Sequence, residues 1–281
     1  MPDLQPEEEL SLRPRASCKR YTPGREARPG RGAPTPQPSR ELTRPVLIIC
    51  SFLAGALLVL PASAANPLVV VLDPGHDLRA NPATEPIGPG SSTRKIKDGG
   101  GTRGVVSGLA EAQLNLRVAL RLRLLLEASG IRVVMTRTKT AATSIGNVVR
   151  ARIANEAGAA LFLRIHADGS SDPSARGTHT LYPARRRGWT DDVYAASRRA
   201  ARIVQTDLVR ALAFPDSGLQ ERSDFTGFNW ANVPVILVEM GFMTNAIEDR
   251  LLSTRAYQQR AALGLCRGTL RSLRRSVAAC G

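Results

Sequence analysis

From residue 66 onward the chain alternates short apolar runs with longer stretches in which apolar residues recur three and four positions apart. The first pattern is typical of buried strands and the second of amphipathic helices. The apolar runs predict strands over residues 68–72, 131–136, 160–165, 178–182 and 235–238. The amphipathic stretches predict helices over residues 111–128, 145–157, 191–212 and 255–273.

Helices placed between successive strands imply crossover connections, because parallel neighbours cannot be joined by a tight turn. The order therefore predicts one α/β domain with a largely parallel sheet and helices on both faces. Two sets of Pro- and Gly-rich segments interrupt the pattern: residues 78–108, and residues 183–190 with 215–231. Both are candidates for the walls of a substrate groove. Long loops are binding loops or disordered segments, and both interpretations stay open for residues 78–108.

The first 65 residues follow neither pattern. Residues 1–45 are rich in Pro, Arg and Glu without apolar periodicity, which predicts a disordered N-terminal extension or a mis-assigned start. Residues 46–65 combine an apolar run with Ala62-Ser-Ala64, the pattern of a secretory signal peptide. The run is shorter than the ~20 residues that a membrane anchor needs. We therefore expect an exported protein of the periplasm or cell wall, without stable membrane insertion after cleavage, whose single domain covers residues 66–281.

Cysteine usage agrees with export. Cys18 and Cys50 lie in the segment that we expect to be removed, so Cys266 and Cys280 remain. An even pair of cysteines in an exported protein predicts a disulfide. The sequence contains no Cys-x-x-Cys spacing that would indicate a redox or zinc motif instead.

The chain is strongly basic, with 39 Lys and Arg against 24 Asp and Glu and a formal net charge of +15. Such a charge attracts nucleic acid, anionic lipid or an anionic wall polymer. Export removes nucleic acid from reach, and few aromatic residues stand among the basic ones, unlike a base-stacking surface. We therefore expect no nucleic-acid partner. Solvated helix faces and binding along a polyanionic wall are the two remaining interpretations.

Two of the three histidines follow apolar runs. His76 ends the sequence Leu72-Asp-Pro-Gly-His76, and His166 comes directly after the run 160–165. Open α/β sheets build their sites at strand ends, and imidazole is the commonest metal ligand, so the pair predicts a shared metal ion, with zinc as first choice. Glu111, which opens the helix that follows the His76 strand, is the candidate third ligand. Its alternative role is a first-turn acid that complements the helix dipole.

A further carboxylate, Glu239, ends the apolar run Pro234-Val-Ile-Leu-Val-Glu239. A carboxylate at the end of a buried strand is costly to desolvate unless it has a function or a partner. Beside a metal site that function is general acid/base catalysis. The alternative is a structural acid paired with Arg137 or Arg150. The glycine pattern of residues 99–104 matches G-x-G-x-x-G but neither follows a strand nor opens a helix, so we reject it as a phosphate site.

Five motifs carry a resemblance to a known family. They are, in order, Asp73-Pro-Gly-His76, Ala110-Glu111-Ala-Gln-Leu-Asn115-Leu, Arg150-Ala-Arg-Ile-Ala-Asn155-Glu-Ala-Gly158, Ile165-His166-Ala-Asp168 and Val238-Glu239-Met-Gly-Phe-Met-Thr-Asn245. Across residues 69–271 they resemble the zinc-dependent N-acetylmuramoyl-L-alanine amidases of bacterial cell-wall remodelling, the amidase-3 type. The resemblance implies a mixed, mainly parallel sheet, one zinc per chain on His76, Glu111 and His166, and Glu239 as the catalytic acid.

Two positions depart from the family pattern. The family usually has two glycines after the first histidine, where this chain has Asp77-Leu78 and a long inserted segment. A position between Gly177 and Tyr182 that is often glutamate in the family is His179 here. We do not expect His179 to be a metal ligand, because a strand histidine without a matching motif more often faces the surface or the substrate.

The resemblance implies a hydrolase that cuts the amide between N-acetylmuramic acid and L-alanine in peptidoglycan or in a soluble muropeptide, and we expect it to be a monomer. In this reaction Glu239 would orient the attacking water and pass its proton to the leaving amine. One alternative is a zinc peptidase that cuts within the stem peptide and shares the metal site. Another is a non-catalytic wall-binding protein, whose mark would be the loss of Glu239 or of a ligand, and none is lost.

Overall fold

A six-stranded sheet forms the centre of the domain in the computed structural model, which describes residues 67–140 and 144–280. The strands along the chain are β1 (Val69–Pro74), β2 (Asn81–Pro86), β3 (Arg94–Asp98), β4 (Arg132–Met135), β5 (Leu161–Asp168), β6 (Thr178–Pro183), β7 (Asp216–Arg222) and β8 (Val235–Phe242). The central sheet has the order β4-β1-β5-β8-β6-β7, and only its β6–β8 pair is antiparallel. The mixed, mainly parallel sheet is confirmed.

Helices cover both faces of this sheet. They are α1 (Glu111–Ala128), α2 (Asn147–Glu156), α3 (Tyr194–Leu212), α4 (Thr226–Asn229), α5 (Ala246–Leu252) and α6 (Arg255–Ser272). The larger apolar cluster joins one sheet face to α1, α3 and α6, and the smaller one joins the other face to α2 and α4. Along β1, Val70 and Leu72 enter the first cluster while Val71 enters the second. Strands buried on both faces explain why the apolar runs are continuous.

The predicted strands and helices are all present, with shifted ends. The main correction concerns β5 and β8, which continue beyond the apolar runs to Asp168 and Phe242. Pairing between them persists through His166 and Glu239 until a register shift follows. His166 and Glu239 therefore lie within paired strands rather than after them, and the sheet backbone fixes their positions.

The structure also contains elements that the hydrophobic pattern missed. The segment 78–108 is not a disordered loop: β2 and β3 pair within it as an antiparallel hairpin outside the central sheet. The segment 215–231 contains β7 and α4. Both hairpin strands and the edge strand β7 are mostly exposed, so their sequences lack the apolar signal on which the strand prediction depends.

One buried acid, Asp73, joins several of these elements at the carboxyl end of β1. Its Oδ1 accepts hydrogen bonds from Arg150 Nη1 at 2.5 Å and Thr136 Oγ1 at 2.6 Å, and its Oδ2 accepts one from Arg164 Nε at 2.8 Å. The side chain is fully buried. Burial by itself raises the pKa of Asp73, but the two guanidinium groups hold it far below its usual range. The carboxylate is therefore permanently charged and paired.

The remaining predictions on chain organisation have separate outcomes. Cys266 in α6 and Cys280 form the expected disulfide, which ties the C-terminal segment to the helix. The predicted N-terminal extension, residues 1–45, and the predicted signal peptide, residues 46–65, lie outside the described residues. Within residues 67–140 and 144–280, no helix combines the length and the apolar content needed to cross a membrane.

We predict that Asp73→Asn destabilises the fold by about 3–5 kcal/mol, because removing one partner of a buried ion pair leaves uncompensated charge. Arg164 would lose its anion in this case, and Arg150 would keep only the more distant Asp77, at 3.5 Å. The free energy of unfolding in urea measures the effect. The matched control is Glu127→Gln, which breaks an exposed ion pair with Arg123 and should cost less than about 1 kcal/mol. Equal effects of the two variants would contradict the role given to Asp73.

Candidate metal centre

Three side chains that the sequence singled out meet at the carboxyl ends of β1 and β5 and the first turn of α1. His76 follows β1, Glu111 begins α1 and His166 lies in β5. One potential ligand atom from each lies within 4.8 Å of the others. Two imidazoles and one carboxylate are a donor set that suits a first-row metal ion. The ligand set predicted from the sequence is therefore spatially coherent.

His76 is oriented by the hairpin. Its Nδ1 lies 2.5 Å from Asp98 Oδ1 at the end of β3, while its Nε2 lies 3.5 Å from Glu111 Oε1. Burial lowers the pKa of His76, but the charge of Glu111 and the bond to Asp98 outweigh it, so the pKa is raised overall. A carboxylate on one ring nitrogen fixes the ring and directs the other nitrogen toward a metal. His76 also has a φ of 57°, a left-handed conformation that non-glycine residues adopt uncommonly.

Glu111 faces both imidazoles. Its Oε1 lies 3.0 Å from His166 Nδ1, and its Oε2 accepts the backbone N–H of Thr102 at 2.9 Å. Asn115, one helical turn later, donates to Oε1 at 3.0 Å. Burial would raise the pKa of Glu111, but the charge of His76 and the contact with His166 lower it to about 2. Glu111 is therefore an ionised carboxylate that faces the two histidines. Any interaction with the helix dipole is additional to these contacts.

His166 is held in its neutral form by its surroundings. Burial lowers its pKa to about 4, and neutral imidazole is the form that binds metals. The ring lies directly against Gly75: a Cβ on that glycine would come within 2.1 Å of the imidazole. The glycine before His76 is thus required by the close approach of the second histidine.

Glu239 lies beside the cluster without joining it. On β8 it pairs in register with His166 on β5 and with His179 on β6, so the three side chains share one sheet face. Its Oε2 is buried and has no hydrogen-bond partner within the described residues. Burial, followed by the charges of Glu111 and Asp168, raises its pKa well above the usual value.

The alternative of a structural ion pair for Glu239 is not supported. Arg150 bonds Asp73, and Arg137 donates to the backbone carbonyls of Pro74, Gly75 and Ala112. Neither arginine forms an ion pair with Glu239 in the described part of the chain.

His179 lies outside the His76, Glu111 and His166 cluster. Its Nε2 is 3.5 Å from Asp168 Oδ2, and its Nδ1 is buried without a partner among the described residues. Burial lowers its pKa. The expectation that it is not a ligand stays a prediction, and the structure gives it a neighbouring acid instead.

Sequence reasoning missed the contributions of the segment before α1. Asp98 orients His76, and Thr102 donates to Glu111. A Cβ on Gly101 would approach Glu111 Oε2 at 2.7 Å, so the glycine-rich stretch passes tightly over the cluster. Gly101, one of the glycines that we rejected as a phosphate motif, therefore serves close packing. The unusual density of glycines in residues 99–104 was the one feature of the sequence that could have pointed to this segment.

Two cavities meet at this centre, and His76, His166 and Glu239 line both. The first, of about 320 Å³, extends toward β3 and α4. The second, of about 430 Å³, extends toward the loops that contain Thr102, Ser170 and Thr244. An extended substrate could therefore place a scissile bond at the centre and occupy a cavity on each side.

Comparison with known proteins adds independent findings. The model of the Amidase_3 family, described as N-acetylmuramoyl-L-alanine amidase, matches residues 70–271. An N-acetylmuramoyl-L-alanine amidase of Mycobacterium tuberculosis is 32% identical over 238 residues, which are 79% of this chain and 95% of that protein. AmiA of Escherichia coli is 28% identical over 242 residues, 72% of this chain and 75% of AmiA. The crystal structure of the amidase Ami1 from Mycobacterium smegmatis matches with a TM-score of 0.67 and 30% identity, covering 73% of this chain and 96% of that one.

We predict that Asp98→Asn weakens metal binding by roughly 10–100-fold, the usual effect of removing a carboxylate that orients a ligand histidine. Competition with a chelating dye, with Zn²⁺ as the test ion, measures the affinity. Asp172→Asn, a change in an exposed loop, is the control and should leave the affinity unaltered. A site that is emptied by His179→Ala and not by His76→Ala would show that the ligand assignment is wrong.

Proposed function

Because the chain belongs to the Amidase_3 family of N-acetylmuramoyl-L-alanine amidases, we propose that it cuts its peptidoglycan amide bond with one zinc ion held by His76, Glu111 and His166. The enzyme is an amidase that hydrolyses the bond between N-acetylmuramic acid and L-alanine. The observation that carries the metal proposal is the convergence of three ligand atoms within 4.8 Å, one an ionised carboxylate and one a neutral imidazole.

The three residues fit a catalytic rather than a purely structural zinc site. Structural sites are closed by four protein ligands, whereas catalytic sites have three and leave a position open. When bound, zinc supplies a Lewis acid that polarises a carbonyl oxygen and acidifies water. Asp98 and Thr102 keep His76 and Glu111 in place for this role.

Glu239 is the proposed proton carrier. Its Oε2 has no partner among the described residues, and burial with the charges of Glu111 and Asp168 raises its pKa well above the usual value, which favours a carboxyl group that takes up and releases a proton. Its backbone is fixed by pairing with β5 and β6, so the carboxyl group stays beside His166. We assign to Glu239 both the orientation of the attacking water and the delivery of a proton to the leaving amine of L-alanine.

The proposed location is outside the cytoplasm, in the periplasm or the cell wall, and the proposed state is a monomer. The pattern of a signal peptide in residues 46–65 and the disulfide between Cys266 and Cys280 support export, since disulfides persist in oxidising compartments.

A muropeptide digest tests the activity directly. We expect the purified mature protein, loaded with zinc, to release intact stem peptides that begin with L-alanine, identified by mass spectrometry, and a chelator to abolish the release. Fragments cut within the stem peptide would indicate a peptidase on the same fold. Tight binding to peptidoglycan without any cleavage would indicate a wall-binding protein.

We predict that Glu239→Gln lowers turnover by roughly 10²–10⁴-fold, the usual contribution of a positioned general acid/base. The substitution keeps the size of the side chain but cannot accept a proton, so zinc content and folding should be preserved. Turnover of a soluble muropeptide and metal analysis of the same sample provide the two readouts. Loss of zinc would make Glu239 a ligand or a structural residue, and near-normal turnover would refute the proposed mechanism.

A further inference from the structure

The cavity of about 320 Å³ between the metal centre, β3 and α4 has a distinctive charge distribution. Two of its lining acids are already committed within the protein. Asp98 pairs with His76, and Asp224 pairs with Arg222 and Lys95. The third acid, Glu239, stands at the end of the cavity where the reaction takes place.

Two lining cations keep free donors. Arg164 is buried and held by Nε on Asp73 at 2.8 Å and by Nη2 on Asn147 at 2.7 Å, while its Nη1 makes no hydrogen bond to any described residue. Lys97 is half-buried, with its aliphatic stem packed against Gly146. Within residues 67–140 and 144–280 its backbone carbonyl accepts a bond from Asn147, but its ammonium group has no hydrogen bond or ion pair. Apart from Glu239 at its reacting end, whose carboxyl group interacts with the charge of Arg164, the uncommitted charge of the cavity is therefore positive.

The second cavity differs in chemistry. Its lining includes the hydroxyl side chains Thr102, Ser170 and Thr244, together with Asp168. Hydroxyl and carboxylate groups suit a neutral, hydroxyl-rich ligand such as a sugar. The two cavities thus distinguish the two ends of a substrate whose scissile bond lies at the metal centre.

The two sides of the substrate also differ in charge. Because the lactyl carboxyl group of N-acetylmuramic acid is consumed in the scissile amide, the sugar side carries no charge. The peptide side begins with L-alanine, and the next residue is D-glutamate, linked through its side chain so that its α-carboxylate is free. Two residues of extended chain reach about 7 Å from the scissile bond. That carboxylate therefore falls within a cavity that adjoins the centre.

We propose that this cavity binds the stem peptide and that Lys97 and Arg164 bind the α-carboxylate of its second residue, an assignment that rests on the proposed amidase function. Arginine and lysine form strong charge-assisted bonds with carboxylates, and Arg164 is already fixed in place. The enzyme should therefore discriminate against peptidoglycan in which this carboxylate is amidated to D-isoglutamine.

The test compares two synthetic substrates, N-acetylmuramoyl-L-alanyl-γ-D-glutamyl-L-lysine and its D-isoglutaminyl analogue, which differ only in that carboxylate. For the zinc-loaded wild-type enzyme we expect kcat/KM to be roughly 10–100-fold higher on the acid, in line with a hydrogen bond to a charged group. The difference should appear mainly in KM, because the carboxylate lies away from the reacting bond.

Three variants locate the effect. Lys97→Gln should reduce the preference to less than about one third of the wild-type ratio, and Lys97→Arg should retain most of it, since the charge is preserved. Arg94→Gln is the matched control: Arg94 lies on the same strand but bonds Thr84 and does not line the cavity, so the preference should be unchanged. Thermal unfolding checks that each variant is folded.

The outcomes separate this inference from the proposed function. Equal cleavage of both substrates by the wild-type enzyme would overturn the inference and leave the amidase function intact. An equal loss of activity on both substrates in Lys97→Gln would also overturn the inference, because Lys97 would then not distinguish the carboxylate from the amide. Failure of the wild-type enzyme to release an alanine-terminated peptide from either substrate would instead refute the amidase function.

Discussion

The rest of the site depends on one interaction, the pairing of the buried Asp73 carboxylate with Arg150 and Arg164. Arg150 also donates to the carbonyls of Pro74 and His76, and Arg137 to those of Pro74 and Gly75. These bonds hold the backbone that carries His76 at a φ of 57°. A buried ion pair contributes little net stability, so its consequence here is positional: it fixes His76, a proposed ligand, and orients Arg164, which lines the adjoining cavity.

Two glutamates at the centre have opposite electrostatic environments. Glu111 faces His76 and His166 and accepts a backbone N–H, so its pKa falls to about 2. Glu239 is buried without a partner among the described residues and near the charge of Glu111, so its pKa rises. Environments that lower the pKa of one carboxyl group and raise that of another suit the two groups to different roles. The lowered pKa of Glu111 suits a metal ligand, and the raised pKa of Glu239 suits a group that exchanges a proton during the reaction.

The β2–β3 hairpin supplies the part of the site that differs from the family pattern. It lies in the segment that departs from the family pattern after His76, and its last strand supplies Asp98 to the metal centre and Lys97 to the cavity. Contacts with the start of α2 and with the residue that follows α4 hold the hairpin in place. Glu85 accepts the backbone N–H of Asn147, and the Trp230 indole donates to Pro86. The same hairpin therefore orients His76, a proposed ligand, and lines the cavity proposed for the stem peptide.

The sequence by itself predicted five of the six strands of the central sheet and the four long helices, and it singled out His76, Glu111, His166 and Glu239 as candidate site residues. Apolar periodicity is a local property of buried strands and helices, and these residues stand at fixed positions relative to that pattern. Tertiary structure alone decided that Asp98, 22 residues from His76 along the chain, orients that histidine, and that Lys97 and Arg164 line one cavity. The exposed hairpin has no apolar signal, and the pairing of polar side chains across the fold depends on distances that a linear pattern does not contain.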